Sequence, residues 1–304
     1  MKLASLLALL SLVACSSGSK NKGTDIEPGP APDNVSKESF KKDRVLAASE
    51  VSDYYVEQPK KASSPALQDE TLDRYTVDEI EMLADSKDPL LEIALRCSKK
   101  DFKNAFAAAA SAFNRYQKIP SYWNLIANCH LNQGSSRKAL LFYNKALEVS
   151  PGYVPALNNI GVLYSRQGDD QKALVAFEKA NKQSRFAKTP RYNLARLYLA
   201  YGLSSQALPL FQGLLNESNQ DIDLINAVAT CHFMNADYDK AQSQFSRLPS
   251  SALSRAEIGL NYAATLKKLG KDQEAQKVYS DIDKPKSQNL KDYYSSVGSQ
   301  LGVQ

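Results

Sequence analysis

The chain contains few residues of the types that perform chemistry, and their spacing limits what they can do. It has two histidines, His130 and His232, and four cysteines, Cys15, Cys97, Cys129 and Cys231. The histidines share one phase of a 34-residue spacing whose other occupants include Tyr164 and Tyr198. If each such spacing adds stacked helices ~8–10 Å apart, the two rings lie ~25–30 Å from one another. They cannot share a metal or a proton, and they read as substitutes for a packing tyrosine. Cys129 and Cys231 are separated in the same way, beyond the ~7 Å limit of a disulfide. Cys97 with Cys129 is the only conceivable bridge, and free buried thiols are the expectation. The carboxylate pairs, Asp169 with Asp170 and Asp237 with Asp239, fall in turn-like stretches and read as solvated helix caps rather than a general acid and base. No P-loop, nucleophile elbow, H-E-x-x-H or C-x-x-C motif occurs. No catalytic residue, metal ligand or cofactor is therefore expected, and the chain does not read as an enzyme.

Cys15 belongs to a different chemistry. Lys2 precedes the run Leu3 to Val13, which is apolar apart from Ser5 and Ser11. That run is too short to span a bilayer, which takes about 20 residues, and it fits the apolar region of a secretory signal. The stretch Leu12-Val13-Ala14-Cys15 resembles the lipobox of bacterial lipoproteins. The resemblance implies a signal peptide over residues 1–14 and a lipidated Cys15. Ser16 stands where an aspartate would imply inner-membrane retention, so outer-membrane delivery on the periplasmic side is expected.

Behind these residues lies a 304-residue chain with 43% hydrophobic and 23% charged side chains, enough to bury a sizeable core. Its formal charge of +5 is unevenly spread. Residues 16–75 carry 9 basic and 11 acidic side chains, and residues 95–200 carry 17 and 5. The basic middle suits an anionic surface or partner, but no nucleic-acid-binding module accompanies it. Residues 15–75 have no persistent apolar period, include Pro28, Pro30 and Pro32, and read as a flexible linker with an r.m.s. span of ~45 Å. Within it, Val45 to Val56 could form a short helix. Thr76-Val77-Asp78-Glu79 is a capping box that opens the folded region, 76–304.

That region is periodic. An alanine recurs at Ala105, Ala139, Ala173, Ala207, Ala241 and Ala275. Four residues after each stand Ala109, Tyr143, Phe177, Phe211, Phe245 and Tyr279. A small residue recurs upstream at Ala127, Gly161, Ala195, Ala229 and Ala263. Gly134, Gly168, Gly202 and Gly270 share a position between two helical patterns, where a left-handed C-cap belongs. This pattern resembles the tetratricopeptide repeat (TPR), most closely from Tyr153 to Ala180. The resemblance implies an all-α, right-handed solenoid of about six hairpins, over 86–119, 120–153, 154–187, 188–221, 222–255 and 256–289. The stripe Leu290, Tyr293, Tyr294, Val297 and Leu301 predicts a capping helix over 290–301.

In TPR proteins partners usually lie against the inner face of each hairpin's first helix. Carried onto this sequence, that face supplies Asn124, Asn128, Asn158, Arg166, Tyr192, Arg196, Asn226 and Phe233. Amides suit a peptide backbone, Arg166 and Arg196 suit carboxylates, and Phe233 suits an apolar pocket. The cations Arg137, Lys138, Lys145, Lys172 and Lys179, on the second helices of their hairpins, read as a solvent-facing coat. The whole resembles TPR lipoproteins such as type IV pilus pilotins and those of gliding machines. That implies an outer-membrane scaffold for envelope proteins, with a secretin or a cell-wall hydrolase or synthase as partner.

Overall fold

The computed structural model describes residues 89–303; Cys15, the linker and the Thr76–Glu79 capping box lie outside the described residues. Among the described residues every regular element is a helix. Paired as helical hairpins they run α1 (Pro89–Ser98) with α2 (Phe102–Tyr116), α3 (Pro120–Asn132) with α4 (Ser136–Val149), and α5 (Val154–Arg166) with α6 (Asp170–Gln183). Then come α7 (Lys188–Ala200) with α8 (Ser204–Glu217), and α9 (Ile222–Met234) with α10 (Tyr238–Phe245). A four-residue α11 (Ser250–Leu253) precedes α12 (Ala256–Lys268) with α13 (Asp272–Ser280), and α14 (Gln288–Leu301) closes the order. The fold is thus the all-α repeat of helical hairpins expected, with α14 following the sixth. The short α11 was not anticipated: Pro249 stands before it as N-cap, and it replaces the later turns of what would have been a longer α10. The described chain divides into two compact units, residues 89–193 and 194–303.

The repeat pattern maps onto burial. Ala105, Ala139 and Ala173 in the first unit are fully buried, as are Ala207, Ala241 and Ala275 in the second. The rings four residues on, Tyr143, Phe177, Phe211 and Phe245, are fully buried too. The approach is close at α5, where a Cβ on Gly161 would fall 2.5 Å from Phe177 Cε1 of α6. The first hairpin departs from the pattern at Glu92 and Ile93 yet packs normally. Ile93 is fully buried and Glu92 turns out to Arg96, with 2.8 Å between carboxylate and guanidinium.

Each hairpin turn uses the same device. After α3, the Gly134 N–H donates to Leu131 O and the Ser135 N–H to His130 O, both at 2.8 Å, which satisfies carbonyls the helix end would leave open. This Schellman pair requires a left-handed residue, and Gly134, Gly168, Gly202 and Gly270 have φ of +82°, +75°, +73° and +74°. The same phase holds Lys100 at +60° and Ala236 at +62°. At those two turns a side chain occupies a conformation that costs a non-glycine residue ~1–2 kcal/mol.

At the C-terminus of the second unit, α14 buries Tyr293, Val297 and Leu301, three of the five residues of the expected stripe. Tyr293 Oη donates to Asn261 Oδ1 at 3.0 Å, and Tyr279 Oη donates to Tyr294 O at 3.0 Å. These bonds tie the last helix to α12 and α13.

Two outcomes test this packing. Ala236→Gly raises stability by about 0.5–1 kcal/mol, because the relief at φ +62° exceeds the added chain entropy of the unfolded state; denaturant titration reads it. Gly161→Ala ought to gain about 1 kcal/mol from helix propensity alone, but overpacking against Phe177 costs ~1–3 kcal/mol, so the variant is destabilised. In a Phe177→Leu background the same change becomes neutral or stabilising. Equal effects in both backgrounds would show that the two residues do not meet.

Candidate functional site

The first unit brings several of the expected groove residues together, but faces them toward one another. Asn124, Asn128 and Asn158 are 4%, 2% and 0% exposed. Asn159, a residue the inner-face reading did not select, is their hub. Its Nδ2 donates to Asn124 Oδ1 at 3.1 Å and to Asn128 Oδ1 at 3.2 Å, and its Oδ1 accepts from Asn158 Nδ2 at 3.3 Å. Asn128 Oδ1 also accepts from Tyr143 Oη at 2.6 Å, and Asn158 Oδ1 accepts from Asn193 Nδ2 at 3.0 Å. The network links α3, α4, α5 and α7. A buried amide without partners costs several kcal/mol, and most of these groups meet one another's demand, although Asn128 Nδ2 and Asn193 Oδ1 find no hydrogen-bond partner. The expectation that all three asparagines present free amides to a peptide backbone is thereby corrected. The signal was available: Asn159, Asn193 and Asn261 share one phase of the repeat, and in the second unit Asn261 is likewise buried.

The other selected residues separate. Phe233 is 4% exposed and packs on Tyr238, ring centroids 5.6 Å apart, so it offers no open apolar pocket. Tyr192 is buried, Asn226 and Arg196 are half-buried, and Arg166 is exposed. Arg166 and Arg196, read as suited to a partner's carboxylates, both engage other groups of the chain. Tyr192 and Arg166 belong to the first unit, and Arg196, Asn226 and Phe233 to the second.

The groups with chemical potential are absorbed into packing. His130 is sandwiched between Phe106 and Phe142, with centroids at 4.3 and 5.1 Å, and Phe142 in turn stacks on Trp123. Burial, aided by the charge of Lys138, pulls its pKa below the usual histidine value, against a hydrogen bond with Gln133. Cys231 is a free buried thiol, pushed up to about 12 by burial, and is therefore inert near neutrality. Cys97 and Cys129 are not free: they form a disulfide between α1 and α3, with Cα atoms 5.3 Å apart. The expectation of free thiols is corrected for this pair. The two cysteines are 32 residues apart, two short of the repeat, so they do not share a phase, and the packing of α1 against α3 brings them into bonding range. The Asp169 carboxylate accepts from the Lys172 N–H at 3.2 Å as the N-cap of α6, as a turn carboxylate should. Lys172 and Lys145 form ion pairs with Asp169 and Glu148, at 2.9 and 2.6 Å. Among the described residues no group of three or more His, Cys, Asp or Glu side chains could hold a metal, and no helix is long and apolar enough to cross a membrane.

Comparison with known proteins agrees with this architecture. Residues 90–230 match the tetratricopeptide repeat family. No curated protein matches. Among solved structures, PilF of Pseudomonas aeruginosa is 14% identical with a TM-score of 0.55, over 72% of this chain and 99% of its own. YrrB, a TPR protein with an unusual peptide-binding site, is 19% identical with a TM-score of 0.51, over 64% and 96%. PilW, a widely conserved type IV pilus biogenesis factor, is 18% identical with a TM-score of 0.50, over 67% and 96%. At these identities the likeness is one of fold, and the fold is that of tetratricopeptide repeats.

The histidine environment predicts an acid response. Because its folded pKa lies below the unfolded value near 6.5, the unfolded chain binds the proton first, and stability falls as pH drops through 6.5. His130→Tyr, the residue type at that phase in the next two repeats, should flatten this part of the pH–stability curve between about pH 7 and 5. An unchanged slope would assign the acid response elsewhere.

Proposed function

We propose that the chain is a non-catalytic protein–protein interaction scaffold, held in the outer membrane by lipid on Cys15 and facing the periplasm. There it assists assembly of an envelope machine such as a type IV pilus secretin or a gliding apparatus. The observation that carries the scaffold reading is that a TPR fold absorbs His130, the asparagine cluster and three of the chain's cysteines into packing, leaving surface shape and charge as what varies. The Cys97–Cys129 disulfide supports the compartment, because such bonds persist outside the reducing cytosol. The sequence Leu12-Val13-Ala14-Cys15 supports the anchor. The pilus option is favoured over other machines because PilW, a neighbour in fold, is a type IV pilus biogenesis factor.

Cys15→Ser should abolish lipidation and release the protein from the outer-membrane fraction. Deleting the gene should remove secretin multimers while leaving secretin monomer levels intact. Altered wall turnover with intact multimers would replace the machine by an adaptor for peptidoglycan hydrolases or synthases. Retention of the Cys15→Ser protein in the outer membrane would overturn the lipid anchor.

A further inference from the structure

Between α6 and α7 the chain turns tightly over Ser184–Ala187, with the Ala187 N–H donating to Ser184 O at 3.4 Å. The two central residues of that turn are Arg185 and Phe186. Phe186 is 86% exposed, and the next most exposed large apolar side chain among the described residues is Leu141 at 56%. A single exposed apolar side chain is ordinary on a protein surface. What distinguishes this one is the charge around it. Lys179, Lys182, Arg185, Lys188, Arg191 and Arg196 follow one another with no acidic residue from position 179 to 216. Lys179 and Lys182 are exposed on the last turns of α6, and Arg185 is exposed beside Phe186.

We infer that this turn is a membrane-contact site: Phe186 enters the interface of an anionic phospholipid surface while Lys182 and Arg185 lie over its phosphates. An aromatic ring suits the depth of the headgroup boundary, and neighbouring cations attract the surface before the ring inserts. A purely polar loop would be attracted without depth, and a lone phenylalanine would have depth without attraction. The turn combines both on a scaffold whose flanking helices are held by buried contacts, since Phe177 and Ala180 of α6 and Thr189 and Pro190 of α7 are buried. The inference rests on the membrane-anchored reading of Cys15 for its setting, and it adds a second contact on the folded part, which would hold the repeats at a defined side toward the lipid.

The test uses the full lipidated chain carrying Phe186→Trp, compared with the native chain, whose one tryptophan is Trp123. Vesicles of phosphatidylglycerol with phosphatidylethanolamine are set against vesicles of phosphatidylcholine. The anchor should bind the chain to both. Only on the anionic vesicles should the emission of the introduced tryptophan shift to shorter wavelength and be quenched by brominated acyl chains. Adding Lys182→Gln and Arg185→Gln should weaken that insertion about five-fold per cation removed. Phe186 is solvent-exposed, so circular dichroism should be unchanged throughout. If the chain binds both vesicles and the added emission stays at its aqueous position, the contact site is wrong and the anchor stands. If the chain binds neither, the anchor reading fails. If the emission shifts without vesicles as protein concentration rises, the turn joins protein copies instead, and the lipid assignment is overturned.

Discussion

The structure depends on one close approach. In each hairpin an alanine of the second helix, and in most hairpins a methyl-sized or smaller residue of the first, bring two backbones together, with a ring filling the space beside them in every hairpin but the first. Gly161 against Phe177 shows how close, since even one added carbon would overlap the ring. A hairpin closed this way still carries apolar surface on its flanks, and burying that surface is the dominant favourable term in folding. Successive hairpins therefore stack. The periodic alanines are the part of the sequence that tolerates least change, because neither a larger nor a polar group fits there.

The close approach has a second consequence, for polar groups. Where first helices of successive repeats come together, any side chain on the shared seam is removed from water. Asparagines there find partners largely in one another: Asn159 reaches two residues of α3, and Asn193 reaches Asn158, while Asn128 Nδ2 and Asn193 Oδ1 go without. The seam that would have been a free amide-lined surface becomes a network linking first helices in the first unit. In the second unit Asn261 plays a related part, accepting from Tyr293 of the closing helix. Amide networks carry no charge to titrate, whereas His130, in its aromatic sandwich, does.

With the interior occupied in this way, variation is left to surfaces. The first unit carries most of the positive charge of the chain, partly neutralised by ion pairs such as Lys172 with Asp169. The second unit is close to neutral. A scaffold of this kind distinguishes its contacts by where charge and exposed rings lie on an otherwise repetitive frame, and the turn at Phe186 is the place where both coincide.

Helices, their order and their phase were legible in the sequence because the 34-residue period states them many times over: the buried alanines, the rings four residues on, and the left-handed turn positions all repeat. Even the non-glycine turns Lys100 and Ala236 fall in phase, which the glycine pattern alone did not reveal. What the tertiary structure alone decided was each feature that depends on two residues meeting across helices. Cys97 and Cys129 differ in repeat phase, and only the packing of α1 against α3 puts their Cα atoms 5.3 Å apart. Asn124, Asn128 and Asn158 carry an inner-face pattern, yet the closeness of the first helices buries them, and Phe233 is buried with its ring packed on Tyr238 of its own hairpin. Periodicity specifies which side of a helix a residue occupies; how near the next helix comes to that side is set by packing, and that distance separates a buried hydrogen bond from an open surface.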